Sequence, residues 1–356
     1  MHKSDSRFFQ HTSRLLCFSL IVISLMLMTG CASLFGIKRS VKVPPLLGPL
    51  AEANTTQLFA EVNRLAGIRS IKGKVDIQVQ DNSFAEAGLA EKYRAADGTV
   101  YVQRPGQIYL RIQVPFVGTD VAQMTSDGQH FRVAVLQGDE KLRRFVLGTN
   151  DAVYPKLAMD EYGKGEKDKK GAKREQTVNV LSSLRPQHFT EALMVLPIKP
   201  REETGLIYSQ TEFYQEEPDT RPRAKKDERV TRGYYLLDEL TPGGDTGART
   251  LRRFWFDRVA GIHLARIQTF EKDGTLVSDV SYTDPKNFGD GRVVMPGRVE
   301  LTRPRDRYKL SITYQSPDAV EFDREFPSSV FVLQNKWELP EMNLDEREKQ
   351  RVTGRQ

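Results

Sequence analysis

Apolar and polar residues alternate along much of the chain with a period of two. The clearest runs are residues 71–80, 108–114 and 308–314. This alternation is the pattern of antiparallel strands that bury one face and expose the other to water. Asp-Gly pairs beside such runs predict hairpin turns at Asp97-Gly98, Asp127-Gly128 and Asp273-Gly274. About ten or eleven strands, grouped at 68–147 and 205–334, predict a large mainly-β (α+β) domain.

Two short helices are predicted to accompany the strands. Residues 54–66 follow a helical period, and Asn54 with Gln57 has the spacing of a capping box at its start. A second helix is expected after Pro186, with an apolar stripe that ends before Pro197. Two helices of this length cover only part of one face of so large a sheet. The rest of that face is expected either to pack on a second sheet or to curve round a cavity.

The first thirty residues have the features of a secretory signal. Three basic residues precede Leu15–Met28, a run of fourteen residues without a charge, and small residues lead to Cys31. The run is shorter than the roughly 20 residues that a transmembrane helix needs, so an uncleaved membrane anchor is the less favoured alternative. We therefore expect residues 1–30 to be removed.

Residues 28–31 resemble the lipobox of bacterial lipoproteins, with Met28 where Leu is more usual. The resemblance implies that the Cys31 thiol carries diacylglycerol and that the new amine is acylated. Because each buried methylene contributes about 0.8 kcal/mol, two or more such chains anchor a protein stably. Ala32 follows in place of the Asp that commonly marks inner-membrane retention, so a lipid-anchored, periplasm-facing position in the outer membrane is expected. Residues 31–50 then form a tether to the folded domain.

Composition excludes several classes of function. The 356 residues carry 53 Lys+Arg and 47 Asp+Glu, and removal of residues 1–30 leaves 50 and 46, a net charge of +4. So small an excess is not the basic patch of a nucleic-acid-binding protein. The two cysteines, Cys17 and Cys31, lie within and just after the signal, so the mature chain can form no intramolecular disulfide and no thiolate zinc site.

No catalytic motif is found in the sequence. It contains no Gly-x-Ser-x-Gly elbow, no phosphate-binding Gly-x-x-x-x-Gly-Lys-Ser/Thr loop and no His-Glu-x-x-His pair. The mature histidines, His130, His188 and His263, have no partner at metal-ligand spacing and are expected to be surface or helix-end residues. We expect no enzyme, no cofactor and no metal. A third possibility is an envelope hydrolase, which would need converging carboxylates. The sequence offers the acid pairs Asp279 with Asp284 and Glu271 with Asp273.

Two charged inserts and a polar tail accompany the domain predicted at 51–337. The inserts lie near 160–175 and 215–231, and the tail is 338–356. They offer too little apolar area to offset the entropy of ordering, so we expect mobile loops and a frayed end. The alternative is a contact with lipid headgroups or with an acidic partner, but both inserts carry both signs of charge.

The apolar segment Val114–Gly118 stands between two predicted strands. It is either a hairpin corner that packs into the core or an exposed tip that touches a membrane or an acyl chain. The sequence leaves both interpretations open. Phe116 or Val117 would form the end of the tip.

Several short motifs follow one another over roughly 54–147 and 232–334. They include Arg104-Pro105-Gly106, Thr125-Ser126-Asp127-Gly128, Phe254-Trp255-Phe256-Asp257 and Met295-Pro296. Their order resembles the bacterial lipoprotein-localisation carrier and receptor family, the LolA/LolB-like fold. The resemblance implies an incomplete antiparallel β-barrel with two or three short helices as a lid. Its apolar concave face would hold the acyl chains of a lipoprotein or a lipid.

In such a fold, the apolar alternates of three strands are the residues expected to bind lipid. They are Val75, Ile77, Val79, Ile108, Leu110, Ile112, Tyr308, Leu310 and Ile312, with Phe116 and Val117 in the protruding loop. The receptor of this family is itself an outer-membrane lipoprotein with an apolar protruding loop, and Cys31 and the 114–118 segment match that pattern. This chain is longer than the family members, and residues 148–231 have no counterpart in them.

Two functions of different classes follow. The leading hypothesis is an outer-membrane lipoprotein that binds acyl chains in a half-barrel cavity and aids lipoprotein localisation or insertion. The alternative is a non-catalytic structural or interaction lipoprotein of an envelope complex. In that case the cavity would be filled by the protein's own side chains, and the charged inserts would contact an envelope partner.

Overall fold

The computed structural model describes residues 43–81, 91–92, 96–138, 140, 143–152, 154, 185–242, 247–289, 291 and 293–353. The predicted signal, Cys31 and the charged insert near 160–175 lie outside the described residues. The chain divides into two units, Met1–Pro45 and Leu46–Gln356, and the fold that follows is that of the second. Every core residue of the described part belongs to it.

Four α-helices lie in the described part of the chain. They are α1 (Thr55–Ala66), α2 (Pro186–Leu193), α3 (Arg201–Thr204) and α4 (Leu344–Thr353). Both predicted helices are confirmed, and α1 begins with the predicted capping box. The Asn54 side chain accepts from the Gln57 N–H at 3.0 Å, and the Gln57 side chain accepts from the Asn54 N–H at 2.9 Å. None of the helices described is long and apolar enough to cross a bilayer.

Sixteen strands, counted over the described residues, form one sheet. In chain order they are β1 (Ser70–Asp81), β2 (Glu91–Lys92), β3 (Ala96–Gln103), β4 (Gln107–Gln113), β5 (Asp120–Asp127), β6 (His130–Val135), β7 (Arg144–Thr149), β8 (Ile207–Pro218), β9 (Arg229–Pro242), β10 (Ala248–Asp257), β11 (His263–Phe270), β12 (Leu276–Phe288), β13 (Val293–Arg303), β14 (Tyr308–Tyr314), β15 (Glu321–Phe322) and β16 (Glu341–Asn343). Neighbours run in the order β16-β7-β6-β5-β4-β3-β1-β14-β13-β12-β11-β10-β9-β8, and β2 and β15 pair with β1. The pairs are antiparallel except for β16 with β7. The predicted fold class is confirmed, with more strands than the alternation indicated.

The sheet curves round one hydrophobic core. Val133 of β6 and Leu237 of β9, far apart in the strand order, belong to the same apolar cluster. Leu58 of α1 and Phe189 of α2 lie in this cluster too. The edge strands β16 and β8 do not pair with each other, so the sheet is an open half-barrel. The helices α1 and α2 cover its concave face, as the predicted lid does.

The convex face carries polar side chains that pair across neighbouring strands. Arg253 of β10 meets Asp238 of β9 at 2.6 Å, and both stand at positions that alternate with core residues. Arg266 of β11 pairs with Asp279 of β12 in the same way. Such cross-strand pairs each contribute about 0.2–1 kcal/mol and favour one register over its neighbours.

The C-terminal segment crosses the convex face of the N-terminal strands. The Phe326 ring packs edge to face on Tyr101 of β3, with 5.1 Å between ring centroids. Further along, the Leu333 N–H donates to the Thr125 hydroxyl of β5 at 3.1 Å. Leu339 then joins a second small apolar cluster on β6 and β7. The segment thus covers the apolar residues that this part of the sheet exposes on its outer side.

The predicted frayed C-terminal end is wrong for residues 341–353, which form β16 and α4. β16 satisfies backbone groups at the edge of β7, where the Phe145 N–H donates to the Pro340 carbonyl at 2.9 Å. The Thr149 hydroxyl donates to the Asp345 carboxylate of α4 at 3.0 Å. Bonds to a strand edge therefore order a segment whose composition alone indicates disorder.

The insert near 215–231 is a loop only in its middle, residues 219–228. Its two ends belong to strands, because β8 extends to Pro218 and β9 begins at Arg229, and these ends pair with each other. Most residues of β8 are half-buried or exposed, because β8 is the edge of the sheet and its end projects into solvent. The polar composition reflects a solvated hairpin.

Asp97-Gly98 is also not a turn, whereas the other two Asp-Gly pairs are turns as predicted. Gly98 lies within β3, opposite Val75 of β1 and Ile112 of β4. A Cβ on Gly98 would lie 2.7 Å from Cδ1 of Ile77. Glycine is required here by the close approach of a neighbouring side chain, not by a reversal of the chain.

The segment before α1 meets one rim of the sheet. The Leu47 N–H donates to the Thr231 carbonyl of β9 at 2.8 Å, and Leu50 pairs with Val259 just after β10. Gly233 permits this approach, because a Cβ there would lie 2.5 Å from Cδ1 of Leu50. The turn between β4 and β5 leaves from the opposite rim, since neighbouring antiparallel strands reverse direction.

Replacement of Gly98 by alanine is expected to lower the free energy of unfolding by about 1–3 kcal/mol, because the added methyl overpacks the core against Ile77. Urea denaturation followed by circular dichroism measures the change. The control is Gly106→Ala, where the nearest atom to the added Cβ is the Gly128 Cα at 3.7 Å. A change within about 0.5 kcal/mol is expected there. Equal losses in both variants would contradict the packing explanation.

Candidate functional site

The nine sheet residues predicted to bind lipid lie together on the concave face. β4, β3, β1 and β14 are consecutive in the sheet, and the register places Ile77 opposite Ile312 and Val79 opposite Leu310. All nine are at most 6% exposed: Val75, Ile77, Val79, Ile108, Leu110, Ile112, Tyr308, Leu310 and Ile312. They pack in the core beneath the helices, and their contact with a bound chain stays a prediction.

Helix α2 covers this apolar patch. It packs on β4, β5 and β13 and buries Phe189 and Ala192 in the core. Its polar contacts include the Tyr282 hydroxyl, which donates to the Ala192 carbonyl at 3.2 Å, and the ion pair of Glu191 with Arg303 at 2.9 Å. The helix has eight residues and no side-chain hydrogen bond at its N-cap. A helix this short is marginal by itself, so its position depends on packing against the sheet.

A buried histidine lies in the first turn of α2. His188 is 3% exposed, and its Nδ1 is hydrogen-bonded to the Tyr308 hydroxyl of β14. Burial, together with the positive charges of Arg303 and Arg185, lowers the pKa of His188 well below its usual value. The imidazole is therefore neutral at pH 7. The expected helix-end position is confirmed, but no pattern in the sequence indicated that this histidine would be buried.

Helix α1 is fixed to the sheet on its polar side. Its buried stripe is Leu58, Val62 and Leu65. Glu61 and Arg64 form an ion pair at 2.8 Å. Glu61 accepts from the Leu264 N–H of β11 at 3.4 Å. Arg64 donates to the Val294 carbonyl of β13 at 2.7 Å, and we call this ion pair with its two backbone contacts the α1 latch.

A small inner cavity of about 20 Å³ lies between the end of α1, the end of α2 and strands β12–β14. Its lining is apolar apart from the hydroxyls of Tyr282 and Tyr314. The Tyr314 hydroxyl is buried and has no hydrogen-bond partner among the described residues. This volume is enough for about one water molecule. A longer apolar ligand can enter only if α1 or α2 moves.

A larger outer cavity of about 570 Å³ lies at the rim of the sheet that the N-terminal segment meets. It forms because the β8–β9 and β12–β13 hairpins project beyond the turn between β10 and β11. At this rim, the last pair between β9 and β10 is Tyr234 with Asp257. The last pair between β11 and β12 is Arg266 with Ser281. Ala260, with a φ of 59°, lies in the turn at the base of the resulting notch.

The lining of the outer cavity is polar, with closely balanced charges. Its carboxylate and guanidinium side chains are Glu61, Arg64, Glu217, Arg232, Asp257, Arg266 and Asp284, which together carry a net charge of −1. Each of the three arginines has a carboxylate partner. Asp284 pairs with Lys286 at 2.8 Å, and at 51% it is the most exposed of the four carboxylates.

The two cavities are neighbours. Leu65, Tyr282, Met295 and Pro296 line both of them. The α1 latch lies at the same place, because its two charged side chains line the outer cavity and the adjacent Leu65 lines both. The last turn of α1 and the start of β13 therefore separate a charged space from an apolar one.

The turn between β4 and β5 presents an apolar tip. Phe116 is fully exposed, and Val117 is 72% exposed. Phe116 has a left-handed backbone with a φ of 64°, and the Gly118 N–H donates to the Val114 carbonyl at 3.0 Å to close the turn. The interpretation as a corner packed into the core is wrong. The exposed tip is confirmed, while its contact with a membrane or an acyl chain stays a prediction.

The outer cavity and the α1 latch were not indicated by the sequence. Their residues come from α1 and from six strands, and no local pattern connects them. One signal was available: Pro285 and Pro296 face each other across β12 and β13. A proline has no N–H to donate to a further strand, so prolines within strands indicate a stretch that is paired on one side only. Within the described ranges, no group of three His, Cys, Asp or Glu side chains is placed to hold a metal ion.

No protein-family model and no curated protein matches the sequence. Among solved structures, the chain is similar to a LolA superfamily protein from Nitrosomonas europaea, with 13% identity and a TM-score of 0.36 over 79% of this chain and 99% of that chain. A second similar structure is a DUF1329 family protein from Desulfovibrio piger, with 12% identity and a TM-score of 0.37 over 78% of this chain and 95% of that chain. A third is an outer membrane lipoprotein-sorting protein domain from Vibrio parahaemolyticus, with 10% identity and a TM-score of 0.35 over 78% of this chain and 94% of that chain. At these TM-scores the likeness carries no argument about function, and the fold rests on the strand order and register given above.

The stability of the fold is expected to fall as the pH drops below about 6.5, the ordinary pKa of histidine. In the unfolded chain His188 takes up a proton near that pH, whereas the folded protein holds it neutral. The unfolded state then binds more protons, so the free energy of unfolding decreases with falling pH. Urea denaturation at a series of pH values from about 7.5 to about 5 measures this decrease.

Substitution His188→Gln removes the titrating group, and its free energy of unfolding should vary less over the same range. The matched control is His130→Gln at the start of β6, where the side chain is 56% exposed. This control should keep the pH dependence of the unmodified protein. The explanation fails if the two variants give profiles of the same slope.

Proposed function

We propose that this protein is a lipid-anchored outer-membrane lipoprotein, facing the periplasm, that binds acyl chains of a lipid or a lipoprotein in its half-barrel and aids lipoprotein localisation. The lipobox-like residues 28–31 support acylation of Cys31, the membrane contact in this proposal. The apolar concave face and the exposed Phe116 tip support a lipid ligand. No catalysis, cofactor or metal is part of the proposed function.

The observation that carries the proposal is that an eight-residue helix, α2, closes a broad apolar surface. If α2 moves away, the apolar alternates of β1, β4 and β14 face a trough that hydrocarbon can fill. An acyl chain would then take the place of Phe189 and Ala192. Because each buried methylene contributes about 0.8 kcal/mol, a lipid chain can offset the loss of this helix packing.

The mature chain from residue 32, which keeps every described core residue, is expected to take up a dansyl-labelled fatty alcohol with a rise in fluorescence. Phe189→Leu weakens the packing of α2 and should tighten binding a few-fold, because displacement of the helix then costs less. The matched control is Phe331→Leu: both phenylalanines are fully buried, but Phe331 lies in the C-terminal segment on the convex face. This control should lose stability without a change in affinity. Absence of any uptake by the unmodified chain would refute the proposal.

Apart from the inner cavity of about 20 Å³, the protein's own side chains fill the concave face, and this favours a second candidate, a structural lipoprotein of an envelope complex. In that case the half-barrel stays closed, and the charged inserts contact an envelope partner. Deletion of residues 161–174 separates the two candidates. The acyl-chain binder keeps its uptake of the labelled alcohol, whereas the structural protein loses a co-purifying partner.

Replacement of both Phe116 and Val117 by serine is expected to weaken binding to phospholipid vesicles about tenfold. The reason is that insertion of large apolar side chains contributes about 1.5–3 kcal/mol each when burial is complete. Both residues are exposed, so the free energy of unfolding should stay within about 0.5 kcal/mol. Vesicle co-sedimentation measures the binding. The control is Val352→Ser on α4, also an exposed valine at 56%. If the double variant and this control sediment alike, the tip has no role at the membrane.

A further inference from the structure

We infer that the outer cavity is the headgroup subsite of the acyl-chain site and that it accepts amphiphiles whose headgroup carries no net negative charge. This inference rests on the proposed function and specifies the chemical class of its ligand. The inference thereby assigns a role to the notch at the rim of β8–β13. None of the nine sheet residues predicted to bind lipid lines this notch.

The position of the cavity is the first argument. An acyl chain bound between the helices and the sheet must leave the apolar interior where its polar end begins. Leu65, Tyr282 and Met295 line both cavities, so a chain that enters the inner cavity here leaves its polar end in the outer one. The outer volume of about 570 Å³ lies within the range of roughly 300–1,000 Å³ that is common for small-molecule sites.

The α1 latch is the second argument, because it holds the boundary between the two cavities. Arg64 is 40% exposed, and its bond to the Val294 carbonyl ties the last turn of α1 to β13. Loss of this bond frees Leu65, which covers the inner cavity. The opposite side is held by strand pairing, since β12 and β13 pair as far as Phe288 with Val293. The passage therefore opens by movement of α1.

The balance of charge is the third argument, and it selects the headgroup. Four carboxylates and three arginines line the cavity, and each arginine already has a carboxylate partner. An anionic headgroup would therefore meet an excess of negative charge. The ammonium group of a zwitterionic headgroup can instead approach Asp284, which is half exposed and whose partner Lys286, itself 41% exposed, can turn towards solvent. Charge–charge energies at a few ångströms near a protein surface are large enough to decide such a preference.

The preference is tested by native mass spectrometry of the mature chain from residue 32 with equimolar phosphatidylethanolamine and phosphatidylglycerol of identical acyl chains. The zwitterionic lipid is expected to bind at least about threefold more than the anionic lipid at low ionic strength. Asp284→Asn keeps the size of the side chain and should bring the ratio close to one.

The matched control for this variant is Asp323→Asn. Asp323 has a similar exposure of 47% and a left-handed φ of 56°, against 57° for Asp284, but it does not line the cavity. The control should leave the lipid ratio unchanged. Equal binding of the two lipids, or a preference for the anionic one, overturns the headgroup assignment and leaves the proposed acyl-chain function standing. Binding of neither lipid, with no uptake of the labelled fatty alcohol, overturns both.

The role of the α1 latch is tested by a second measurement. Arg64→Gln should raise the rate of uptake of the dansyl-labelled fatty alcohol several-fold, because α1 loses its bond to the Val294 carbonyl. The matched control is Arg351→Gln on α4, whose ion pair with Glu348 has the same spacing along a helix as the pair of Arg64 with Glu61. Stopped-flow fluorescence measures both rates. If the two variants take up the alcohol at the same rate, the passage beneath α1 is not the entrance.

Discussion

The concave apolar face of the sheet has to be kept from water, and the rest of the fold depends on this constraint. The cover is supplied by two helices of twelve and eight residues, neither of which is long enough to be stable by itself. Helices and sheet therefore stabilise each other. In the proposed function, ligand binding therefore competes with helix packing, because a bound chain would have to replace the apolar contacts of α1 or α2 with contacts of similar area.

Polar groups within the covered region restrict how the helices can sit. The bond between His188 and Tyr308 lies inside the core, where an unpaired partner would be costly, so it favours one position of α2 over others that would bury the same area. The α1 latch has the same effect at the rim, where it joins a helix side chain to a strand carbonyl. Apolar packing thus supplies the stability, while a few polar contacts select the arrangement.

Local patterns in the sequence predicted the elements whose causes are local. The alternation at 71–80 and 308–314 identified strands and their buried sides, and Asn54 with Gln57 marked the start of α1. The pairing of β1 with β14 brings together residues more than two hundred positions apart, and no local pattern specifies such a register. Asp97-Gly98 was misassigned for the same reason. Its glycine leaves room for the Ile77 side chain of the neighbouring strand, and the sequence does not show that contact.

The candidate site was predicted only in part, because two of its features depend on packing and register. The sequence placed nine apolar residues on one face, but it could not show that α2 fills the space in front of them. The outer cavity depends on how far neighbouring strands extend past each other, so it exists only once the register is known. The exposed tip was left open by the sequence, because an apolar turn has the same composition whether it is buried or exposed.

The two rims of the sheet differ in what they hold. The chain enters the half-barrel at one rim, where Leu47 and Leu50 are bound beside β9 and β10, and the apolar tip leaves from the other. β1 alone has twelve residues, so the rims stand up to about 40 Å apart. One rim is thus occupied by backbone pairing with the segment before α1, whereas the other ends in an aromatic side chain that no part of the described chain covers.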